Sequence, residues 1–339
     1  MKKRLLMIII IVGLVILAVP FLIADLTVAK DETSKADVKE MPKEIIGKDG
    51  TKMVLIPAGE FLMGTDKSEI PKLVQLAKQW YPGAGASLFE DETPRHTVYV
   101  DAFYMDAYEV TNAQYKKFVQ ATGHKEPEGF KFTPKPNNMV EFTSGFKPWT
   151  DPDYNKDNQP VVCVRLEDAK AYAEWAGKRL PTEAEWEKAG RGGLAEKRYV
   201  WGDDWPSPKN SGNFIDETFK KAFPYWEIVD GYDDGYAYTA PVGSYKPNGY
   251  GLYDMAGNVW EWCADWYSDK YYANSSKQNP KGPDSGSTHV LRGGSWYVSF
   301  FDGFYFNLSD LRVADRSYGG DPMYVSSTVG FRCVVSVSP

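Results

Sequence analysis

Trp175-Ala-Gly-Lys-Arg-Leu-Pro-Thr-Glu-Ala-Glu-Trp-Glu187 closes one helix and opens the next. A helix is predicted from about Leu166 to Ala176. Gly177 is its left-handed stop, since glycine has no Cβ to resist a positive φ. Thr182 is placed as the N-cap of the following helix, with Glu185 closing a capping box. The same signature stands upstream at Thr111-Asn-Ala-Gln114, opening a helix that puts Tyr115, Phe118 and Val119 on one face. Met53–Met63 alternates apolar residues around Pro57 and Gly59 and reads as two short strands with a turn; His96–Tyr104 is a second strand set. Residues 123–160, rich in Pro, Gly, Lys and Asn, read as a long irregular loop. Beyond Gly192-Gly193 regular signals are sparse, with short strands expected near Val290–Leu291 and Gly330–Val335. No internal repeat is visible. The elements sum to a single α+β domain, irregular and loop-rich, over residues 50–336.

The hydrophobic fraction of 43% and the charged fraction of 25% are those of an ordinary soluble domain. The 11 Trp, 22 Tyr and 17 Phe are more than such a domain needs, and suit a core poor in regular structure or a surface that binds by stacking. A net charge of -7, with no dense basic run beyond the N-terminus, argues against a nucleic-acid partner. The three cysteines, Cys163, Cys263 and Cys333, cannot all pair and have no metal-ligand spacing.

At the N-terminus, Lys2, Lys3 and Arg4 precede an uncharged run from Leu5 to Ala24. At about 1.5 Å per residue, that run matches a bilayer core of roughly 30 Å. Basic residues before it and Asp25 after it hold the N-terminus in the cytoplasm and export the rest. Leu22 fits poorly at the −3 position of a cleavage site ending at Ala24, which favours a retained signal-anchor over a secreted, cleaved form. Residues 1–24 are thus read as a transmembrane segment and 25–49 as a flexible polar linker.

Seven segments together resemble the formylglycine-generating, or sulfatase-modifying factor, family. They are Ile56–Gly64 (IPAGEFLMG), Tyr108–Tyr115 (YEVTNAQY), Trp175–Glu187, Asn248–Asp254 (NGYGLYD), Gly257–Trp262 (GNVWEW), Arg292–Trp296 (RGGSW) and Gly330–Cys333 (GFRC), in the family's order and across nearly all of 50–336. The resemblance implies a C-type-lectin-like fold stabilised by calcium. In the family's best-known members a cysteine pair just after RGGS binds copper and uses O2 to oxidise a substrate cysteine to formylglycine.

The sequence departs from the family at that point. After Trp296 it reads Tyr297-Val-Ser-Phe-Phe-Asp-Gly-Phe304, so Val298 occupies the position of the first catalytic cysteine, and no cysteine returns before Cys333. Copper(I) wants soft thiolates, which Val298, Phe300 and Phe301 cannot supply; copper is not expected. Cys333 matches a structural cysteine whose family partner position is here Ala173. A tri-histidine iron site, used by a related branch, is not supported by His96, His124 and His289.

For calcium, the resemblance carries over one ligand set of Asp254, Glu261 and the carbonyls of Gly257 and Val259. A second set is Asn213, the Phe214 carbonyl, Asp234 and the Tyr236 carbonyl. A hard cation that takes six to eight oxygens suits such glycine-containing turns, although Glu261 could equally pair locally. Three functions follow: a non-catalytic binding or assembly module for an exported protein partner, tethered to the membrane by its N-terminal helix; an oxidative maturation enzyme acting on an exported substrate; or a carbohydrate-binding module. The second would draw on Tyr, Trp, Asp302 or the cluster Asp310, Arg312, Asp315 and Arg316, which otherwise reads as a solvated, salt-bridged loop.

Overall fold

In a computed structural model of the chain, residues 41–79, 82–136, 139–205, 207–297, 308–319 and 325–337 are described. The apolar run Leu5–Ala24, most of the spacer and Val298 lie outside them.

Two four-stranded sheets frame the domain. The first runs β1 (Glu44–Ile46), β2 (Lys52–Ile56), β5 (Phe103–Asp106) and β12 (Val334–Ser336). All its pairings are antiparallel, with Ile56 and Ser336 both opposite Phe103. The second runs β10 (Ser317–Gly319), β9 (His289–Arg292), β8 (Trp260–Trp266) and β11 (Val329–Gly330), the last pair parallel. β3 (Gly59–Met63) pairs with β4 (His96–Val100), and β6 (Gly129–Lys135) with β7 (Met139–Phe146).

Among the described residues, five α-helices pack around these sheets: α1 (Ile70–Ala77), α2 (Asn112–Thr122), α3 (Leu166–Trp175), α4 (Glu183–Arg191) and α5 (Glu217–Ala222). Both capping boxes form. The Thr182 hydroxyl accepts from the Glu185 amide at 3.2 Å, and Glu185 Oε2 accepts from the Thr182 amide at 2.8 Å. The Thr111–Gln114 box has the same reciprocity, and Gly177, at φ 70°, stops α3.

The structure differs from the sequence reading in several places. Residues 41–49 belong to the domain rather than to a spacer. β1 extends the first sheet, and buried Asp49 accepts from Lys178 Nζ at 2.6 Å and from the Tyr172 hydroxyl at 2.8 Å. The stretch 123–160 contains the β6–β7 hairpin. Phe132 and Phe142 face each other in register at 4.8 Å between ring centroids, a cross-strand pair that outweighs the Pro and Gly around it. β8 was not foreseen either. Trp260, Trp262, Ala264 and Trp266 alternate with Glu261, Cys263 and Asp265, but both faces are largely buried, so the strand carries Glu261 and Asp265 into the interior.

Candidate functional site

β9 ends at Arg292, and Gly293 and Gly294, both at positive φ, turn the chain so that Trp296 and Tyr297 enter the core. This segment is held by the loop before β8. The Gly257 amide donates to the Gly293 carbonyl and the Trp296 amide to the Asn258 carbonyl, each at 2.8 Å. Trp296 Nε1 donates to the Ser327 carbonyl at 2.9 Å. Gly257 cannot be replaced here: at φ 83° a Cβ would stand 2.0 Å from the Asn213 carbonyl oxygen.

Asn258 joins the two sets of calcium candidates. Its amide donates to the Asn213 carbonyl at 2.8 Å, and its side-chain oxygen accepts from Asn213 Nδ2 at 3.2 Å. Asp254, Gly257, Val259 and Glu261 lie along the loop into β8; Asn213, Phe214, Asp234 and Tyr236 lie beside α5.

In the first set, both Glu261 oxygens are engaged. Arg332 donates to them through Nε and Nη2 at 2.7 Å each, and Trp186 Nε1 donates at 2.8 Å. Asp254 Oδ2 accepts from the Gly243 amide at 2.7 Å, while its Oδ1 is buried with no partner. A third acid, Glu109, was missed in the sequence. It accepts from Asn258 Nδ2 at 2.7 Å and the Val259 amide at 3.3 Å. Burial, then Asp254 and Glu261, hold its carboxyl well above the usual range. Asp254 is pushed up to about 6, chiefly by burial. Three buried carboxylates thus surround one guanidinium.

In the second set, Asn213 Oδ1 is also buried without a partner. Asp234 accepts from the amides of Phe214 at 3.0 Å and Tyr236 at 2.8 Å. It is pushed up to about 8 by burial and by Asp216, which also caps α5.

Asp254 and Asn213 each offer an unpartnered oxygen to a cation, whereas Glu261 would have to share its oxygens with Arg332 and Trp186. Excess buried negative charge and two orphaned oxygens are what a divalent ion would satisfy. Among the described residues no group of three His, Cys, Asp or Glu is gathered closely enough to hold a metal by itself. A cation here would therefore depend on backbone carbonyls, which is what the Gly257, Val259, Phe214 and Tyr236 assignments ask.

The acidic and basic cluster read as a solvated loop is buried instead. Arg312 pairs with Glu92, and Arg316 holds Glu183 through Nε at 2.7 Å and Nη2 at 3.0 Å. Arg292 reaches Glu187 at 2.6 Å. The partners lie on α4 and in the 90–92 turn, far away in sequence, which is why a dense local run of charge looked like surface.

All three cysteines are buried, and burial pushes each thiol up. Cys333 packs in one core cluster with Ala173, so the family's partner position cannot bridge it. The histidines have separate partners: His96 the Pro94 carbonyl, His124 Asp168 and His289 the Trp266 ring.

A fold with these two sheets, the interlocked loops before β8 and after β9, and the seven segments in order defines a formylglycine-generating-type domain. The chain belongs to the family described as "Sulfatase-modifying factor enzyme 1-like domain", whose model matches residues 38–337. It is 41% identical over 303 residues to a formylglycine-generating enzyme of Streptomyces coelicolor, covering 83% of this chain and 88% of that one. It is also 34% identical to the inactive C-alpha-formylglycine-generating enzyme 2 of Mus musculus, over 84% of this chain and 85% of that one. Among solved structures, PvdO from Pseudomonas aeruginosa matches at a TM-score of 0.61 and 27% identity, covering 87% of this chain and 98% of PvdO.

Proposed function

We propose that this chain is a non-catalytic member of the family. In this reading it is an extracytoplasmic binding or assembly module for an exported protein, tethered by the Leu5–Ala24 segment. The carrying observation is the state of its thiols. By the family resemblance Val298 takes the position of the first catalytic cysteine, and burial pushes the thiols of the three cysteines the chain does have upward. A copper ligand or a nucleophile must be an accessible thiolate.

Calcium is proposed as a structural ion. Asp254 with the Gly257 and Val259 carbonyls and Glu261 would hold one ion; Asn213, Asp234 and the Phe214 and Tyr236 carbonyls would hold another. A bound divalent ion supplies charge neutralisation there. The residues of the chain position the loops that carry RGGSW.

The identity to formylglycine-generating enzymes favours a second reading, oxidative maturation of a cysteine-containing exported substrate. One experiment separates the two. The full chain is incubated with copper, O2 and a cysteine-containing sulfatase peptide, and mass spectrometry follows the peptide cysteine. No enzyme-dependent change is expected. Aldehyde formation would mean that another ligand set replaces the cysteine pair, and the second reading would stand.

A further inference from the structure

The β6–β7 hairpin turns Lys131 inward. Its ammonium lies 5.3 Å from the Phe146 ring centroid, 5.5 Å from that of Tyr154 and 5.3 Å from that of Tyr238. It donates to Asp151 Oδ2 at 2.6 Å, and both side chains are only 19% exposed. Three rings and a carboxylate around one ammonium form a complete alkylammonium box: ring faces attract a cation within about 6 Å, and the acid neutralises it.

The box is not an isolated surface feature. Tyr154 meets Phe146 edge-on at 5.4 Å and Tyr238 at a tilt at 5.3 Å, and Tyr238 meets Trp296 edge-on at 5.0 Å. Its rear wall is therefore the RGGSW segment. Tyr154 and Trp296 are fully buried, which fixes two of these rings before any ligand arrives. Phe146 and Lys131 come from the hairpin, whose β7 strand is largely exposed along its length.

We propose that the chamber of Phe146, Tyr154, Tyr238 and Asp151 is an alkylammonium-binding site that the chain's own Lys131 occupies and closes. An external ligand enters when the hairpin withdraws its lysine. The ligand is a small quaternary ammonium or the side chain of a lysine on a partner polypeptide. The inference rests on the reading of the chain as a binding module for its purpose, but its test does not involve catalysis and can fail independently of that reading. The competing explanation makes Lys131 a plain fastener of the hairpin. A plain fastener is not displaced from the wild-type protein by an added ammonium.

The test uses the full chain in detergent, wild type and Lys131→Ala, titrated with tetramethylammonium chloride and with a short lysine-containing peptide. Sodium chloride at matched ionic strength is the control. In Lys131→Ala the thermal midpoint is expected to fall and then to recover with the ligand, with an apparent Kd at least tenfold lower than in wild type. Adding Asp151→Asn should abolish the recovery. Recovery with tetramethylammonium alone identifies a small quaternary ammonium; tenfold tighter recovery with the peptide identifies a lysine side chain. A folded Lys131→Ala that responds to neither, or a wild type that responds equally well, overturns the proposal. Reductive methylation of wild type decides between exchange and a plain fastener, whether or not Lys131→Ala folds. Saturating tetramethylammonium should speed modification of Lys131, read by peptide mass, and no acceleration refutes the exchange.

Discussion

Lys178→Met takes the ammonium out of a site where its side chain is 0% exposed, between Asp49 Oδ2 at 2.6 Å and Asp106 Oδ1 at 2.7 Å. What remains for Asp49 is the Tyr172 hydroxyl and the Thr51 amide; for Asp106 it is the Cys333 amide. Those neutral donors cannot offset two buried carboxylates. Removing one partner of a buried ion pair costs about 3–5 kcal/mol, a large share of the roughly 5–15 kcal/mol that holds a domain folded. The thermal midpoint should fall on the order of 10 °C. Because Asp49 pins the segment that carries β1, limited proteolysis should begin within residues 41–49. Urea denaturation of Lys178→Met and of the triple variant Lys178→Met, Asp49→Asn, Asp106→Asn separates lost attraction from stranded charge. The triple variant should recover most of the loss, since replacing a whole buried ionic group by neutral ones is often nearly neutral. A single variant within about 1 kcal/mol of wild type, or a triple no better than the single, would refute the argument.

Two further outcomes are expected. Burial pushes the Asp106 carboxyl up to about 6 against the pull of Lys178. The folded chain then keeps a proton that the unfolded chain has released, so this group's contribution falls as pH rises from about 4 to about 6, by at most about 3 kcal/mol. A pH series of urea melts should show that decline in wild type and not in Asp106→Asn. Chelation should lower the melting temperature, because an ion bound only by the folded state adds about 2.7 kcal/mol at a hundredfold excess over Kd. Asp254→Asn should shrink the shift, and an unchanged melting curve together with metal-free purified protein would remove calcium from the account.

Signals confined to neighbouring residues were legible in the sequence. The Thr111 and Thr182 boxes and the Gly177 stop depend on contacts within a helical turn, and the structure contains all three. The order of the seven segments likewise located the loops that meet at Asn258. Features made by distant partners were not legible. Asp49 looks like the end of a polar spacer until Lys178 is folded onto it. Arg312 and Arg316 look solvated until Glu92 and Glu183 arrive from the other side of the domain. Glu109 sits inside the segment Tyr108–Tyr115, yet nothing local reveals that it will share its burial with Asp254 and Glu261. β8 alternates in sequence, yet its acidic face is buried by partners such as Arg332 that arrive from a distant part of the chain.

The first sheet places β2 and β12 on either side of β5, with β1 beyond β2. Strands lie about 4.8 Å apart, so Glu44 and Ser336 are separated by three strand spacings and a short offset along the strands, roughly 15 Å in all. The two ends of the domain thus leave from opposite edges of one sheet. A linker of about five or six residues could close the domain into a ring at that distance. For the same reason, the whole unit can be spliced into a surface loop of another protein without stretching either junction. A domain wired in this way can be joined to a neighbour at either end through a short linker.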